Sequence, residues 1–451
     1  MVDVYVLGDG LPELAAALEF AEVGLAVRVG VPDAETRGRA WNDLDDRGAR
    51  DPEGALRGLL EHIATPLTDG ERPTAAAQPV AEPPAPVLLR GGKGAWMPQP
   101  APAVLGIPAV PVSSRALALL GGGAAARAYL DRLRPVLTIG KTHALGALVR
   151  SRLGDAVLER LVEPLVRERF GTAPDEVDVA IAAPGLNEAL TLAGSLSGAA
   201  LAYSERDVAR ETRVAPRGGW PALRSALRER LTLYGVQFAE APAAAVRRGD
   251  SAVDDWVIEE GEERISARAL VLGAEGPDPI AVAPEIADAL TELLPRRLRV
   301  EGRATIEDPG LPAEHEGLPA VRTVTLPGGE IWSVRVERGA DAYLARVAGP
   351  VFPRDGGENL QAPSRAREVL EAAELRPAAA VEPVTAAVRV APHASVEQRD
   401  AAARRLEEVR EAVSDLLTVG TALHGGDPAA AVADARRAAV MLRRRLTGIS
   451  E

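Results

Sequence analysis

The first thirty or so residues restrict the fold more than any other stretch. "VDVYVL", Val2 to Leu7, is a short run rich in β-branched residues and closed by glycine. Leu11 to Val23 carries Leu14, Ala17, Leu18 and Ala21 at helical spacing. "LAVRVGV", Leu25 to Val31, reads as a second strand. Strand, glycine turn, helix and strand in that order make a βαβ unit, which requires a parallel sheet. The turn sets Gly8 and Gly10 at the first two glycine positions of a dinucleotide-binding loop. Such loops work because glycine lets backbone N–H groups and a helix N-terminus approach a diphosphate.

A chain of 451 residues can form two or three domains around a large core. Its 47% hydrophobic and 26% charged residues are ordinary for a soluble globular protein. With only 3% aromatics, any pocket must be built mainly from aliphatic groups and backbone. The net charge of -13 argues against nucleic acid or anionic membrane as a partner, since both need clustered positive charge. One basic stretch, "RRAAVMLRRRL" from Arg436 to Leu446, reads as a solvated helix end. The absence of cysteine excludes disulfides, thiolate metal sites and cysteine nucleophiles. No histidine spacing suggests a metal ligand set, and none is expected. No basic-then-apolar leader is visible, and no apolar run reaches the roughly 18 residues of a membrane span. A soluble, cytoplasmic chain without a transmembrane segment is the expectation.

Farther along, "ERPTAAAQPVAEPPAP", Glu71 to Pro86, lacks a hydrophobic period and reads as an extended linker, followed by a strand at Val87 to Arg90. Ser113 to Tyr203 is mostly helical, broken at Gly121 to Gly123 and at Phe170 to Asp178. "PRGGWPALRSALRERL", Pro216 to Leu231, is a turn opening an amphipathic helix. One strand is expected from Gly235 and another through Asp254 to Gly276. Arg296 to Ala391 alternates like antiparallel sheet with a helix, Ser364 to Ala373, inserted. After a charged helix from Asp400 to Ser414, Leu416 to Val440 repeats the opening strand–glycine–helix form.

This order of segments resembles the protoporphyrinogen and coproporphyrinogen oxidases of the flavin-containing amine oxidase superfamily. The strongest stretch is "ALGALVRSRLGDAVLERLVEPLVRERFGTAPDEVDV", Ala144 to Val179, with "VLGIPAVPVSSRALALL", Val104 to Leu120, before it. Pro216 to Leu231 and the C-terminal strand–glycine–helix segment match in layout. The resemblance implies an α/β fold with α+β insertions: a Rossmann-like FAD/NAD(P)-binding domain, a mixed-sheet substrate domain and a helical domain that helps close the porphyrinogen cavity. Its segments would be 1–75, 205–290 and 406–451 for the FAD domain and 106–204 for the helical domain. Residues 291–405 would form the substrate sheet, with 76–105 supplying the linker and one further strand. FAD would be held non-covalently, and oxygen or another acceptor would take the electrons.

Carried over by position, the FAD contacts would be Gly8, Gly10, Asp33, Arg39, Gly218, Gly219, Gly420, Gly425 and Gly426. Several residues depart from the family's pattern. Glu13 replaces the third glycine, where a carboxylate would repel a diphosphate, and Asp9 adds a second acid. Val31 stands where the family places a ribose-binding Glu, so Asp33 substitutes only if the strand end shifts. Asp427 replaces the glycine before the last helix, and Asp434 with Ala435 replaces a small residue and a glycine.

Two readings stand. One is an FAD-dependent oxidoreductase acting on a porphyrinogen or similar bulky apolar reductant. The other is a non-catalytic relative that has lost FAD and binds a partner or a tetrapyrrole. No side chain is assigned to catalysis. Lys141 and His143 read as part of a helix start capped by Thr142, and His424 as an exposed loop residue near the flavin segment. Arg90 is a candidate partner for porphyrin propionates, and Trp220 and Tyr203 read as core.

Overall fold

The computed structural model describes residues 2–448 apart from 34, 36, 69, 71, 93, 136–142, 207–210, 250–254, 275–286, 316, 340–341, 357–360 and 379–383. The chain forms two compact units. The first takes residues 1–83, 209–295 and 400–451, and the second takes 84–208 and 296–399.

In the first unit, β1 (Val2–Leu7), α1 (Leu11–Ala21) and β2 (Val27–Gly30) form the expected βαβ unit, with β1 and β2 parallel. Helix α2 (Arg39–Asn42), strand β3 (Ala49–Arg50), helix α3 (Ala55–Ala64) and strand β4 (Pro79–Glu82) follow. The chain returns as β5 (Arg213–Pro216), α4 (Gly219–Leu233) and β6 (Gln237–Phe238). A meander of β7 (Ala243–Arg248), β8 (Trp256–Glu260) and β9 (Glu263–Gly273) comes next. The last elements are α5 (Val396–Ala412), β10 (Leu416–Val419) and α6 (Pro428–Leu446).

The seven-stranded sheet runs β6-β2-β1-β9-β8-β7, with β10 also paired to β9. Strands β6, β2, β1, β9 and β10 are parallel neighbours, while β8 and β7 extend the sheet antiparallel. The long β9 serves both patterns on one edge: Glu263 to Ala267 pair with β8, and Leu270 to Gly273 with β10. The stretch expected as one strand through Asp254 to Gly276 is therefore a hairpin, turning at Gly261 with φ 55°. Left-handed φ is where glycine is favoured, so that residue decides the turn.

Alanine dominates α1, and every residue from Leu11 to Ala21 is buried. Small side chains let helices approach closely, and α1 shares one core with α3, α4 and α6. The arginines of α6 are not simply solvated. Arg436 Nε and Arg443 Nη1 each donate to the Glu19 carboxylate of α1 at 2.8 Å. The proline-rich stretch is not wholly a linker either. Ala75–Ala77 form a 3₁₀ turn, and β4 pairs antiparallel with β5 as the end strand of its sheet among the described residues, a position where proline is tolerated.

The second unit contains an eight-stranded sheet and a helical body. Arg297–Ile306, Tyr343–Ala348, Ile331–Arg338 and Ala320–Thr325 are successive antiparallel strands, and Leu88–Arg90 joins the last of them in parallel. Ala362–Ala372 packs its apolar side, with Ala366, Val369 and Leu370, into the core beneath this sheet. Helices including Ser114–Leu120, Leu145–Leu153, Glu163–Phe170 and Leu196–Arg206 build the other core, in which Tyr203 is buried. Lys141 and Thr142 lie outside the described residues. The helix after them begins at Leu145 with Ala144 at its N-cap, and His143 is exposed. Among the described residues no helix is long and apolar enough to cross a membrane.

Candidate functional site

The register of the parallel strands brings three glycine-bearing ends to one edge of the sheet. Leu7 pairs with Leu272, and Gly273 pairs with Val419, so Gly8, Gly273 and Gly420 follow neighbouring strand ends. Gly8 has φ 131° and donates its N–H to Gly30 O at 2.8 Å. Gly420 has φ 139°, and a β-carbon there would run into the Ala274 carbonyl. Gly10 is the N-cap of α1, and no side chain caps that helix. The positive dipole end of α1 therefore meets no capping side chain among the described residues.

The four acids that depart from the family's pattern have distinct environments. Asp9 is 4% exposed and turns away from α1. It accepts from the Gly38 N–H at 3.0 and 3.1 Å and pairs with Arg224 of α4, while Trp41 Nε1 donates to its carbonyl at 2.6 Å. Its charge is met internally.

Glu13 is fully buried. Its side chain folds back over the strand ends, so a β-carbon at Gly8 would lie 2.9 Å from Glu13 Cγ, and one at Gly273 would strike its carboxylate. The third glycine of a dinucleotide loop gives close helix–strand packing; here a glycine on β9 makes room for the glutamate instead.

Asp427 is the N-cap of α6 and accepts from Ala429 N at 2.9 Å and Ala430 N at 3.2 Å. With Pro428 behind it, this is a strong helix start, and it satisfies two of the first-turn amides of α6 internally. Gly425 (φ 65°) and Gly426 (φ 75°) make the turn leading into it.

Asp434, 6% exposed, accepts from Arg410 at 3.1 and 2.6 Å, from Arg437 at 2.9 Å, and lies 3.2 Å from His424 Nε2. Burial opposes its ionisation, but hydrogen bonds from His424 and Arg410 outweigh it and hold the carboxyl far below its ordinary range. His424 is therefore a held residue rather than a loose loop histidine.

The remaining positions separate into lining and packing. Val31 is buried, and its carbonyl accepts from Ala243 N at 2.8 Å, while Asp33 is exposed. Arg39 opens α2, and its side chain is outside the described set; Arg37 donates to Ala239 O at 3.1 Å and Glu240 O at 3.0 Å. Gly218 donates to Ala76 O at 2.9 Å and has no room for a β-carbon beside Ala76. Gly219, with φ 77°, opens α4. Trp220 is buried and donates to Asp45 O at 2.9 Å. In the other unit, Arg90 stacks over Trp96. Sequence reasoning missed Gly273, Arg224 and Arg228. The first lies inside an apolar strand, and the other two are among dozens of arginines, distinguishable only once α4 is placed beside Asp9.

A parallel sheet begun by βαβ, widened by an antiparallel meander and completed by a returning C-terminal strand and helix is the fold of flavin-type amine oxidases and protoporphyrinogen oxidase-like proteins. The chain is similar to a candidate protoporphyrinogen oxidase from Exiguobacterium sp. 255-15, with TM-score 0.64, 19% identity and 99% of each chain covered. It is also similar to reduced UDP-galactopyranose mutase, with TM-score 0.58, 12% identity, and 100% of this chain and 96% of that one covered. Putrescine oxidase bound to putrescine gives TM-score 0.52 at 16% identity over 99% of both chains. No protein-family model matches the sequence, and no curated protein matches it significantly.

Proposed function

We propose that this protein is an FAD-dependent oxidoreductase of the protoporphyrinogen oxidase type, taking a porphyrinogen or similarly bulky apolar reductant. The observation that carries the reading is the meeting of three glycine-bearing strand ends with the N-terminus of α1, which has no side-chain cap among the described residues. The residues fit the diphosphate end of FAD. Gly8 and Gly10 leave backbone room, α1 starts without a side-chain cap among the described residues, and Asp9 is engaged by Arg224. Glu13 contributes no exposed surface to the loop. When bound, FAD would supply the electron sink, and the protein's part is placement and electrostatics. Gly8, Gly10 and the first turn of α1 would hold the diphosphate, and the turn through Gly420, Gly425 and Gly426 would border the flavin.

The test is the visible spectrum of the purified protein, followed by FAD titration read by flavin fluorescence and thermal shift. A flavin spectrum near one FAD per chain, bleached anaerobically by a porphyrinogen, is the expected result. Colourless protein with no FAD-dependent stabilisation would overturn the reading.

A further inference from the structure

The helical body of the second unit carries an apolar surface built on one buried joint. Helix Gly122–Tyr129 runs directly into a 3₁₀ turn, Leu130–Leu133, and helices Leu186–Ala193 and Leu196–Arg206 follow each other across a tight turn. Asp131 joins the two segments. It is fully buried, accepts the Leu196 N–H on one carboxylate oxygen, and accepts from Arg152 Nη1 at 3.1 Å on the other. Arg152 also donates to the carbonyls of Arg134 at 3.0 Å and Pro135 at 3.1 Å. The 3₁₀ turn is therefore fixed against the start of Leu196–Arg206.

The leucines around this joint point outward. Leu133 is 79% exposed, Leu192 75% and Leu130 51%. A lone exposed leucine is ordinary, but apolar residues gathered on segments that are held together mark an interaction surface. In Leu186–Ala193 the core side is taken by Leu186 and Leu190, so Leu192 faces away, one turn from Glu188. Glu188 and Arg134 are both exposed, and neither forms an ion pair among the described residues. The leucines are thus flanked by a cation on one segment and an anion on the other.

We infer that this surface is an isologous interface through which two copies of the chain associate about a two-fold axis. Such a contact makes every pairing twice, so a surface that carries both members of a charge pair is complementary to itself. The leucines of the two copies pack at its centre, and Arg134 of each copy faces Glu188 of the other. An anionic lipid surface fits less well, because Glu188 and a chain of net charge -13 are both repelled by it. Asp131 sets the geometry before association, so only side chains need ordering, which lowers the entropic cost. The inference does not depend on FAD, since none of these residues is assigned to the cofactor.

Sedimentation velocity of the whole protein, from low micromolar concentration to about 100 μM, reads the assembly state. A reversible dimer is expected, with its dissociation constant raised roughly tenfold or more when Leu133→Asp and Leu192→Asp are combined. Arg134→Glu and Glu188→Arg should each weaken self-association. An equimolar mixture of those two variants should recover it, because each copy then presents the charge that the other lacks. The two charge variants alter only exposed side chains and leave the Asp131–Arg152 joint intact, so they decide the matter even if the leucine variant fails to fold. A wild type that stays monomeric at about 100 μM would overturn the inference. So would a folded leucine variant that dimerises as tightly as the wild type, or a mixture that associates no better than either charge variant alone. A monomer that instead binds anionic vesicles through these leucines would overturn it in favour of lipid.

Discussion

Arg410 donates both terminal nitrogens toward Asp434, at 3.1 and 2.6 Å, so that α5 and α6 are joined by an ion pair that is almost entirely buried. Arg410 also donates to Thr418 O at 2.8 Å, tying the pair to β10. Breaking one side of such a pair strands the other charge, at a cost of about 3–5 kcal/mol. Arg410→Ala should lose stability in that range by urea unfolding, and Arg410→Lys less.

The same carboxyl sets an acid limit. Its native pKa is depressed, so its stabilisation is fully present above its unfolded pKa of about 3.9 and lost progressively as pH falls below that. Urea midpoints measured from neutral pH downward should fall more steeply below about pH 4 in the wild type than in Asp434→Asn. Parallel slopes would show that Asp434 is not a major acid sensor.

Glu13→Gly should improve FAD binding. The substitution restores the small residue at the first turn of α1 and removes a carboxyl, and a gain of about 1.4 kcal/mol is tenfold in affinity. A tenfold or greater fall in the FAD dissociation constant is expected, with some loss of stability from the emptied space over Gly8 and Gly273. Unchanged affinity would mean that the buried carboxyl does not act on the cofactor.

Asp427 separates capping from charge. Asp427→Ala should cost about 0.5–2 kcal/mol through the lost cap, whereas Asp427→Ser should keep most of that stability. If the acid also opposes the flavin end, Asp427→Ser alone should raise FAD affinity. Thermal melts and flavin titration of the two variants distinguish the effects.

Gly30 is confined by Tyr5. A β-carbon at Gly30 would strike the Tyr5 hydroxyl, which is fully buried and bonded to Glu260. Gly30→Ala should cost about 1–3 kcal/mol by overpacking. The penalty should shrink in a Tyr5→Phe background, where the obstructing oxygen is gone. A double-mutant cycle by urea unfolding measures that coupling, and additive effects would reject it.

Where periodicity and glycine placement govern, the sequence was readable. The β1–α1–β2 unit, the helical run after Ser113 and the closing strand–glycine–helix segment all stand where their patterns put them. The hairpin at Gly261 was not separable, because β8 and β9 together alternate like one long strand. Strand β4 was hidden because proline-rich composition reports no partner, and its pairing with β5 is a contact across more than a hundred residues. The acids at the site were visible, but their orientations were not. Whether Asp9 faces a ligand or Arg224 depends on where α4 packs, which no local pattern encodes.

The Glu19 bridge to Arg436 and Arg443 also bears on the order of assembly. Helix α1 is synthesised long before the helix that packs on it, which belongs to residues 428–446. At roughly 5–20 residues per second, α1 waits from about 20 s to more than a minute for its partner. Throughout that interval the alanine- and leucine-rich face of α1 that α6 covers lacks that partner.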